Sequence, residues 1–513
     1  MDSRSGIVYL VGAGPGDVGL ITVRGVECLQ SCDVVVYDNL ASELLLDHVP
    51  MDAERIFAGK EASQHSRSQD EINELLVERA QRGLRVVRLK GGDPYLFGRG
   101  GEEAAYLAVN SVPFEVVPGV TSAIAVPAYA GIPVTHRDVN GSLHIVTGHE
   151  NVDGKGPEID WEVLGSAKGT IVFLMGVGNL PQITRKLMTG GMPGNTPIAL
   201  IRWGTTPEQV TLVSTLSQVV EETKKIGLTP PAVGVIGEVV NLRRILYWVE
   251  KRPLFGVRVA VTRPVEQNAA MIAELRAFGA EVVATPTIRI RRYPYGPEAK
   301  AEIEALEKGR YDWIVFTSAN SVRIFRDHLR QAEKDLRILS SVSIAAIGER
   351  TAEVLDSMGI RADLVPHAAR QEGLAGAMQT RAGDRVLIPR AAEARQVLEE
   401  ELAARAVDVH VWRLYETVAD RQGIAKLRKL LTRGRIHVVT FTSASTFEKL
   451  LEAIKAEDIP KLFADVAIAS IGPITSEAMR KYRLNVAAEA EKPDPKSLAK
   501  VIVAWRQYAL SQQ

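Results

Sequence analysis

Between Gly91 and Glu103 the chain sets five glycines, one proline and three carboxylates, reading Gly91-Gly92-Asp93-Pro94-Tyr95-Leu96-Phe97-Gly98-Arg99-Gly100-Gly101-Glu102-Glu103. Backbone this bare lets a ligand approach closely, and Asp93 can bond its polar groups. A structural turn needs two or three such residues, so the run predicts a small-molecule site. A second glycine segment, Gly12-Ala13-Gly14-Pro15-Gly16-Asp17, invites a dinucleotide reading, with Asp38 near the place of a ribose-binding acid. Its details oppose that reading. The third glycine of the dinucleotide pattern would fall at Asp17, whose carboxylate repels a pyrophosphate, and Pro15 removes an N–H donor from the cradle.

In the second half, hydroxyls recur at apparent strand ends as Thr317-Ser318 and Thr442-Ser443, and a glycine precedes a helix at Gly348 and Gly472. Free backbone N–H groups at such helix starts can bind carboxylates. The sequence shows no metal-ligand cluster, phosphate loop or Ser-His-Asp arrangement in this half.

The elements that must position these residues alternate short β-branched runs with helical patterns, which predicts layered α/β domains. Strands are expected at Ile7–Gly12, Asp33–Tyr37, Val86–Leu89 and Phe114–Val117, and helices from about Thr22 and Glu71. A second unit, from about 141 to 250, has strands at Leu143–Thr147, Thr170–Met175, Ile198–Ile201 and Ala232–Ile236. The break at Arg252-Pro253-Leu254-Phe255-Gly256 marks the main boundary. Beyond it lies an internal repeat. Val315-Phe316-Thr317-Ser318 returns as Thr440-Phe441-Thr442-Ser443 after 125 residues, Ala346-Ile347-Gly348 as Ser470-Ile471-Gly472 after 124, and Arg263 as Arg390 after 127. Two similar domains follow, one from about 254–288 plus 419–513 and the other about 289–418. The extended stretches Thr285–Arg292 and Val411–Val418 sit where a paired two-strand hinge would run between them.

Composition bounds the rest. The chain has 513 residues, 46% hydrophobic and 24% charged, enough for three or four domains of ordinary soluble protein. Lys plus Arg and Asp plus Glu both total 62, so no bulk field draws nucleic acid or an acidic membrane. The polar start of the chain predicts no signal peptide, and no apolar run is long enough for a membrane helix. Cys28 and Cys32 are too few for a metal site and read as idle buried thiols in a reducing, cytoplasmic setting.

Residues 6–250 resemble the uroporphyrinogen-III C-methyltransferases of the tetrapyrrole methylase family. The resemblance rests on Val11 to Asp17, Tyr37-Asp38-Asn39-Leu40, Gly59-Lys60, Gly91 to Glu103, Pro118 to Ser122 and Gly131-Ile132-Pro133-Val134-Thr135-His136-Arg137. It implies two lobes, about 6–120 and 121–250, enclosing S-adenosyl-L-methionine. The matching cofactor positions are Pro15, Gly91, Gly92, Asp93, Leu96, Thr121, Ser122, Met175, Gly204 and Ala232, with Asp38 as proton acceptor and Lys60 as proton donor. Arg99, His136 and Arg137 are candidates to hold substrate carboxylates, and methylase relatives suggest a homodimer through this half. Glu61 stands where many relatives carry arginine.

Residues 254–513 resemble uroporphyrinogen-III synthases through the echoed Phe-Thr-Ser segments, the two Ile-Gly segments and Tyr415. That resemblance implies cofactor-free cyclisation of hydroxymethylbilane to uroporphyrinogen III, with loss of water and inversion of the last ring, Tyr415 assisting departure of the hydroxyl and Arg263, Arg390 and Arg395 holding substrate carboxylates; the first half would methylate the product twice to precorrin-2. The alternative is methylation of another tetrapyrrole, with the second half a two-domain ligand sensor.

Overall fold

The computed structural model describes residues 6–59, 67–148, 159–368 and 370–512. They build four five-stranded sheets. The first is wholly parallel, in the order Glu54–Phe57, Val34–Tyr37, Arg85–Lys90, Ile7–Gly12, Phe114–Val117. Gly12 lies in register with Lys90, so both glycine segments leave the carboxyl edge of adjacent central strands. That edge is where open α/β sheets form their ligand crevices. Gln69–Gln81 packs behind it, started by a capping box in which Ser68 and Glu71 exchange bonds with each other's backbone N–H.

The second sheet runs Leu143–Thr147, Thr170–Leu174, Ala232–Ile236, Pro197–Arg202, Val210–Thr215, and only its first pair is parallel. Helix Ser122–Tyr129 joins the two lobes, capped by the Thr121 hydroxyl, which accepts from the N–H of Ala123. The sequence did not foreshadow two edge strands, Glu54–Phe57 and Val210–Thr215. Neither contains a fully buried residue, so neither writes an apolar run.

In the second half, the third sheet is parallel in the order Glu281–Ala284, Arg258–Val261, Val438–Phe441, Ala467–Ser470, Val486–Glu489. The fourth runs Ile288–Arg292, Asp408–Ala419, Arg385–Ala391, Trp313–Phe316, Ser343–Ala346. Arg258–Val261, Val438–Phe441 and Ala467–Ser470 lie side by side in one sheet as Arg385–Ala391, Trp313–Phe316 and Ser343–Ala346 do in the other. These are the strands bearing the three sequence echoes. Ile288–Arg292 pairs antiparallel with the end of the long strand, Arg292 opposite Tyr415 and Ile288 opposite Ala419, where the chain passes between the domains. Phe316, Phe325 and Trp412 stack edge to face beneath that strand, with centroids 5.4 and 5.8 Å apart. Each such pair adds about 0.5–1.5 kcal/mol beyond burial and fixes the strand that carries Tyr415.

The halves meet through Lys426 on Asp47 at 2.8 Å and through Arg258 and Arg435, both on Glu208, at 3.0 and 3.2 Å. Leu44 of the first half packs against the core of the third sheet. Cys28 and Cys32 are both buried and unbonded to each other, and burial pushes the Cys32 thiol up to about 11. No helix among the described residues is long and apolar enough to cross a membrane.

Candidate active sites

The two lobes of the first half enclose a cavity of about 350 Å³. Pro15, Gly91, Gly92, Asp93 and Leu96 wall it from the first lobe, Thr121 and Ser122 from the connecting helix, and Met175, Gly204 and Ala232 from the second lobe. The glycines are there for room. A Cβ on Gly119 would sit 2.2 Å from the Gly92 carbonyl oxygen, and one on Gly204 would meet Val126 at 2.3 Å. Three non-glycine residues on the wall, Phe97, Met175 and Trp203, hold φ of 53°, 56° and 48°. Left-handed backbone of this kind costs energy and collects at binding sites. Leu40, Phe97, Trp203 and Pro231 also line the cavity and carried no signal as single residues in the sequence.

Electrostatics narrow the ligand. Among the described residues no lysine or arginine lines the cavity, and Asp93 is its one ionisable side chain. A diphosphate would meet a carboxylate and no countercharge there. S-adenosylmethionine, with a sulfonium, an ammonium and ribose hydroxyls, fits this donor set. Asp93 also shapes the wall itself. Its carboxylate accepts from the N–H groups of Tyr95 at 2.8 Å, Leu96 at 3.2 Å and Gly119 at 3.0 Å, pinning the glycine run to the neighbouring loop. Asp17 is not part of this cavity's wall. It accepts from the Tyr129 hydroxyl at 2.8 Å and from Gly19 N–H at 2.7 Å, tying the lobes together.

Beside this cavity, Asp38 ends a strand on a buried ionic chain. Arg88 reaches Asp38 at 3.1 Å and Glu103 at 3.2 Å, Lys90 reaches Glu103 at 2.9 Å, and Gln69 donates to Glu103 at 3.1 Å. Glu103 is fully buried, and one of its oxygens has no hydrogen-bond partner. Burial, and secondarily Arg88, pushes the Lys90 ammonium below its ordinary value. The arrangement holds the Asp38 carboxylate in one orientation with an exposed side left over. Lys60 lies outside the described residues. Arg99 is exposed and paired with Glu102 at 2.7 Å, His136 sits in a turn closed by Asn140, and Arg137 is exposed.

In the second half the Tyr415 hydroxyl lies 2.9 Å from the Ser318 hydroxyl, with Asn320 beside it. Burial pushes it above the ordinary tyrosine value, so it stays a proton donor. From the opposite domain Gln267 donates to Asn320 at 3.3 Å, and Arg263 donates to Gln267 at 3.0 Å. Ser318 and Ser443 each cap a helix, accepting from Ser321 N–H and Thr446 N–H, while Thr317 and Thr442 stand half-buried beside them. Gly348 and Gly472 precede helices Glu349–Asp356 and Pro473–Arg480. Arg390 is 3% exposed, paired with Glu399 and donating to the Arg395 carbonyl at 2.7 Å inside its own domain. Arg395 is exposed and pairs with Glu372 at 3.3 Å. Gln267 and Asn320 were missed because nothing in the sequence says which loops meet between the domains.

Comparisons with known proteins follow this division. Residues 7–220 match the family model of tetrapyrrole (corrin/porphyrin) methylases, and residues 269–500 that of uroporphyrinogen-III synthase HemD. The chain is 40% identical over 492 residues to the porphyrin biosynthesis protein HemD of Ruminiclostridium josui, covering 95% of this chain and 96% of that protein. It is 48% identical over 246 residues to the S-adenosyl-L-methionine-dependent uroporphyrinogen III methyltransferase of Methanosarcina barkeri, covering 48% of this chain and 96% of that one. A solved structure of uroporphyrin-III C-methyl transferase from Thermus thermophilus with S-adenyl homocysteine is 39% identical, covers 46% of this chain and 99% of its own, and has a TM-score of 0.40.

Proposed function

The chain belongs to the tetrapyrrole methylases in its first half and to the uroporphyrinogen-III synthases in its second, and from that premise we propose how one polypeptide divides two consecutive reactions. Residues 254–513 close hydroxymethylbilane to uroporphyrinogen III with loss of water, and residues 1–250 methylate that product twice to precorrin-2. The cavity between the first two lobes takes S-adenosylmethionine, which supplies an electrophilic methyl group when bound. The protein's own contribution there is orientation: bare glycine backbone and the Thr121 and Ser122 hydroxyls fix the donor so that a pyrrole carbon approaches in line. The methylated macrocycle must then shed a proton from a neighbouring position, which Asp38 accepts, held in place by Arg88. Lys60 acts as proton donor. Arg99, His136 and Arg137 meet substrate carboxylates at the rim of the cleft.

In the second half the two hinged domains fold the linear tetrapyrrole between them. Tyr415 donates to the departing hydroxyl, while Arg263, Arg395, the Thr317, Ser318, Thr442 and Ser443 hydroxyls and the N–H groups after Gly348 and Gly472 take its carboxylates. This half works without a cofactor, and the first half pairs with a second copy of the chain, in the cytoplasm. The observation that carries the reading is that ten residues scattered from Pro15 to Ala232 converge on one cavity, with no cation among the described residues of its wall. The relative from R. josui, matched along nearly its whole length and named for porphyrin biosynthesis, weighs against a sensor in the second half. Purified chain given hydroxymethylbilane alone should yield the III isomer, and with S-adenosylmethionine a doubly methylated product. Spontaneous I isomer alone, or unmethylated product in both arms, would overturn the proposal.

A further inference from the structure

Arg263 and Arg350 come from opposite domains of the second half and have no carboxylate within ion-pair distance among the described residues. Arg263 follows the strand Arg258–Val261, is partly buried, and uses only its Nε, on Gln267 at 3.0 Å. Its terminal amino groups make no bond to the described residues. Arg350 opens helix Glu349–Asp356 and is exposed. Parallel pairing of Phe316 with Ala346, continued by the bond from Ile347 N–H to the Phe316 carbonyl at 3.0 Å, sends segments 317–320 and 347–350 off the same sheet edge. Asn320 on that edge already touches Gln267 of the other domain at 3.3 Å. That contact sets Arg263 and Arg350 on the two sides of one domain junction. Burial and then the Arg350 charge push the Arg263 guanidinium down to about 10, which leaves it cationic at neutral pH. Two cations on one junction with no carboxylate partner among the described residues lack an anion.

We propose that Arg263 and Arg350 form a two-sided carboxylate clamp for the polycarboxylate substrate of the second half, and that the substrate's own charge relieves their repulsion and holds the domains closed. Guanidinium forks suit carboxylates, and a site built from both domains exists only in the closed state. The Gln267–Asn320 contact is the neutral part of the same bridge: it aims Arg263 and carries no charge to be neutralised. The clamp rests on the synthase reading of this half.

The test uses the full-length chain with hydroxymethylbilane, scoring the III isomer. Arg263→Met, Arg350→Met, the double variant and Arg350→Lys are compared for kcat and KM at two salt concentrations. The melting point of the second half in calorimetry serves as the folding control. Each methionine variant should raise KM about tenfold with kcat little changed and should flatten its salt dependence. The double variant should fall short of the product of the two single effects, because both arginines hold the same anion, and Arg350→Lys should recover part of the loss. A KM within twofold of the parent chain for Arg350→Met, or fully multiplicative effects, would overturn the clamp. Failure of the parent chain to form the III isomer would instead overturn the reading beneath it.

Discussion

The two halves handle protons by opposite means. Asp38 is a carboxylate held by a buried chain of full charges, Arg88, Glu103 and Lys90, inside a single rigid sheet edge. Tyr415 is a neutral hydroxyl held by other neutral groups, Ser318 and Asn320, on a strand that passes between two domains. A charged network fixes one geometry and is costly to break, because removing either partner leaves a buried ion behind. A neutral network tolerates domain movement. The first half thus suits a preformed pocket for a compact donor, and the second suits a cleft that closes on a large flexible chain.

Arg88→Met should break that contrast hardest. It strips Asp38 of its partner and leaves buried Glu103 with one cation fewer, so the first half should lose about 3–5 kcal/mol of stability in denaturant melts. Methylation should fall with it while cyclisation persists. Tyr415→Phe comes next. It removes one hydroxyl from a core-packed ring, and III-isomer formation should fall about 10²-fold with S-adenosylhomocysteine affinity unchanged by calorimetry.

Glu208→Gln should do less. It unpairs Arg435 and one side of Arg258 between the halves, costing up to about 1 kcal/mol, and should lower the melting point of the second half while both activities survive. Acid gives the smallest effect. His437 accepts from Arg258 N–H at 2.8 Å, faces Arg506 and Glu208, and burial followed by Arg258 holds it below its ordinary 6.5. Its folded value is depressed, so its contribution is present above pH 6.5 and lost as pH falls below that. The second half should therefore melt progressively earlier below that pH in calorimetry, and His437→Gln should blunt the trend.

Legibility differed between the halves for a physical reason. The donor cavity is written by glycine, and glycine is demanded locally: Gly119 and Gly12 approach too closely for any Cβ and Gly92 holds a φ of 68°, so their identity is visible in the sequence. Strands buried on both faces, such as Thr170–Leu174, also announce themselves as apolar runs, whereas the thinly buried edges Glu54–Phe57 and Val210–Thr215 do not. In the second half the repeat and its two-strand hinge were readable because both are long or duplicated. Which charges face the cleft was not. Arg390 and Arg263 occupy echoed positions, yet Glu399 neutralises the first inside its domain while Gln267 leaves the second uncompensated. That outcome depends on neighbours brought in by tertiary packing.

Two independent sites on one chain acting in series make a sharp demand on the Asp38→Asn variant. The direct measurement is the product that this full-length variant makes from hydroxymethylbilane with S-adenosylmethionine present. Accumulation of unmethylated uroporphyrinogen III is the expected result. Doubly methylated product, or absence of the III isomer, would contradict the account.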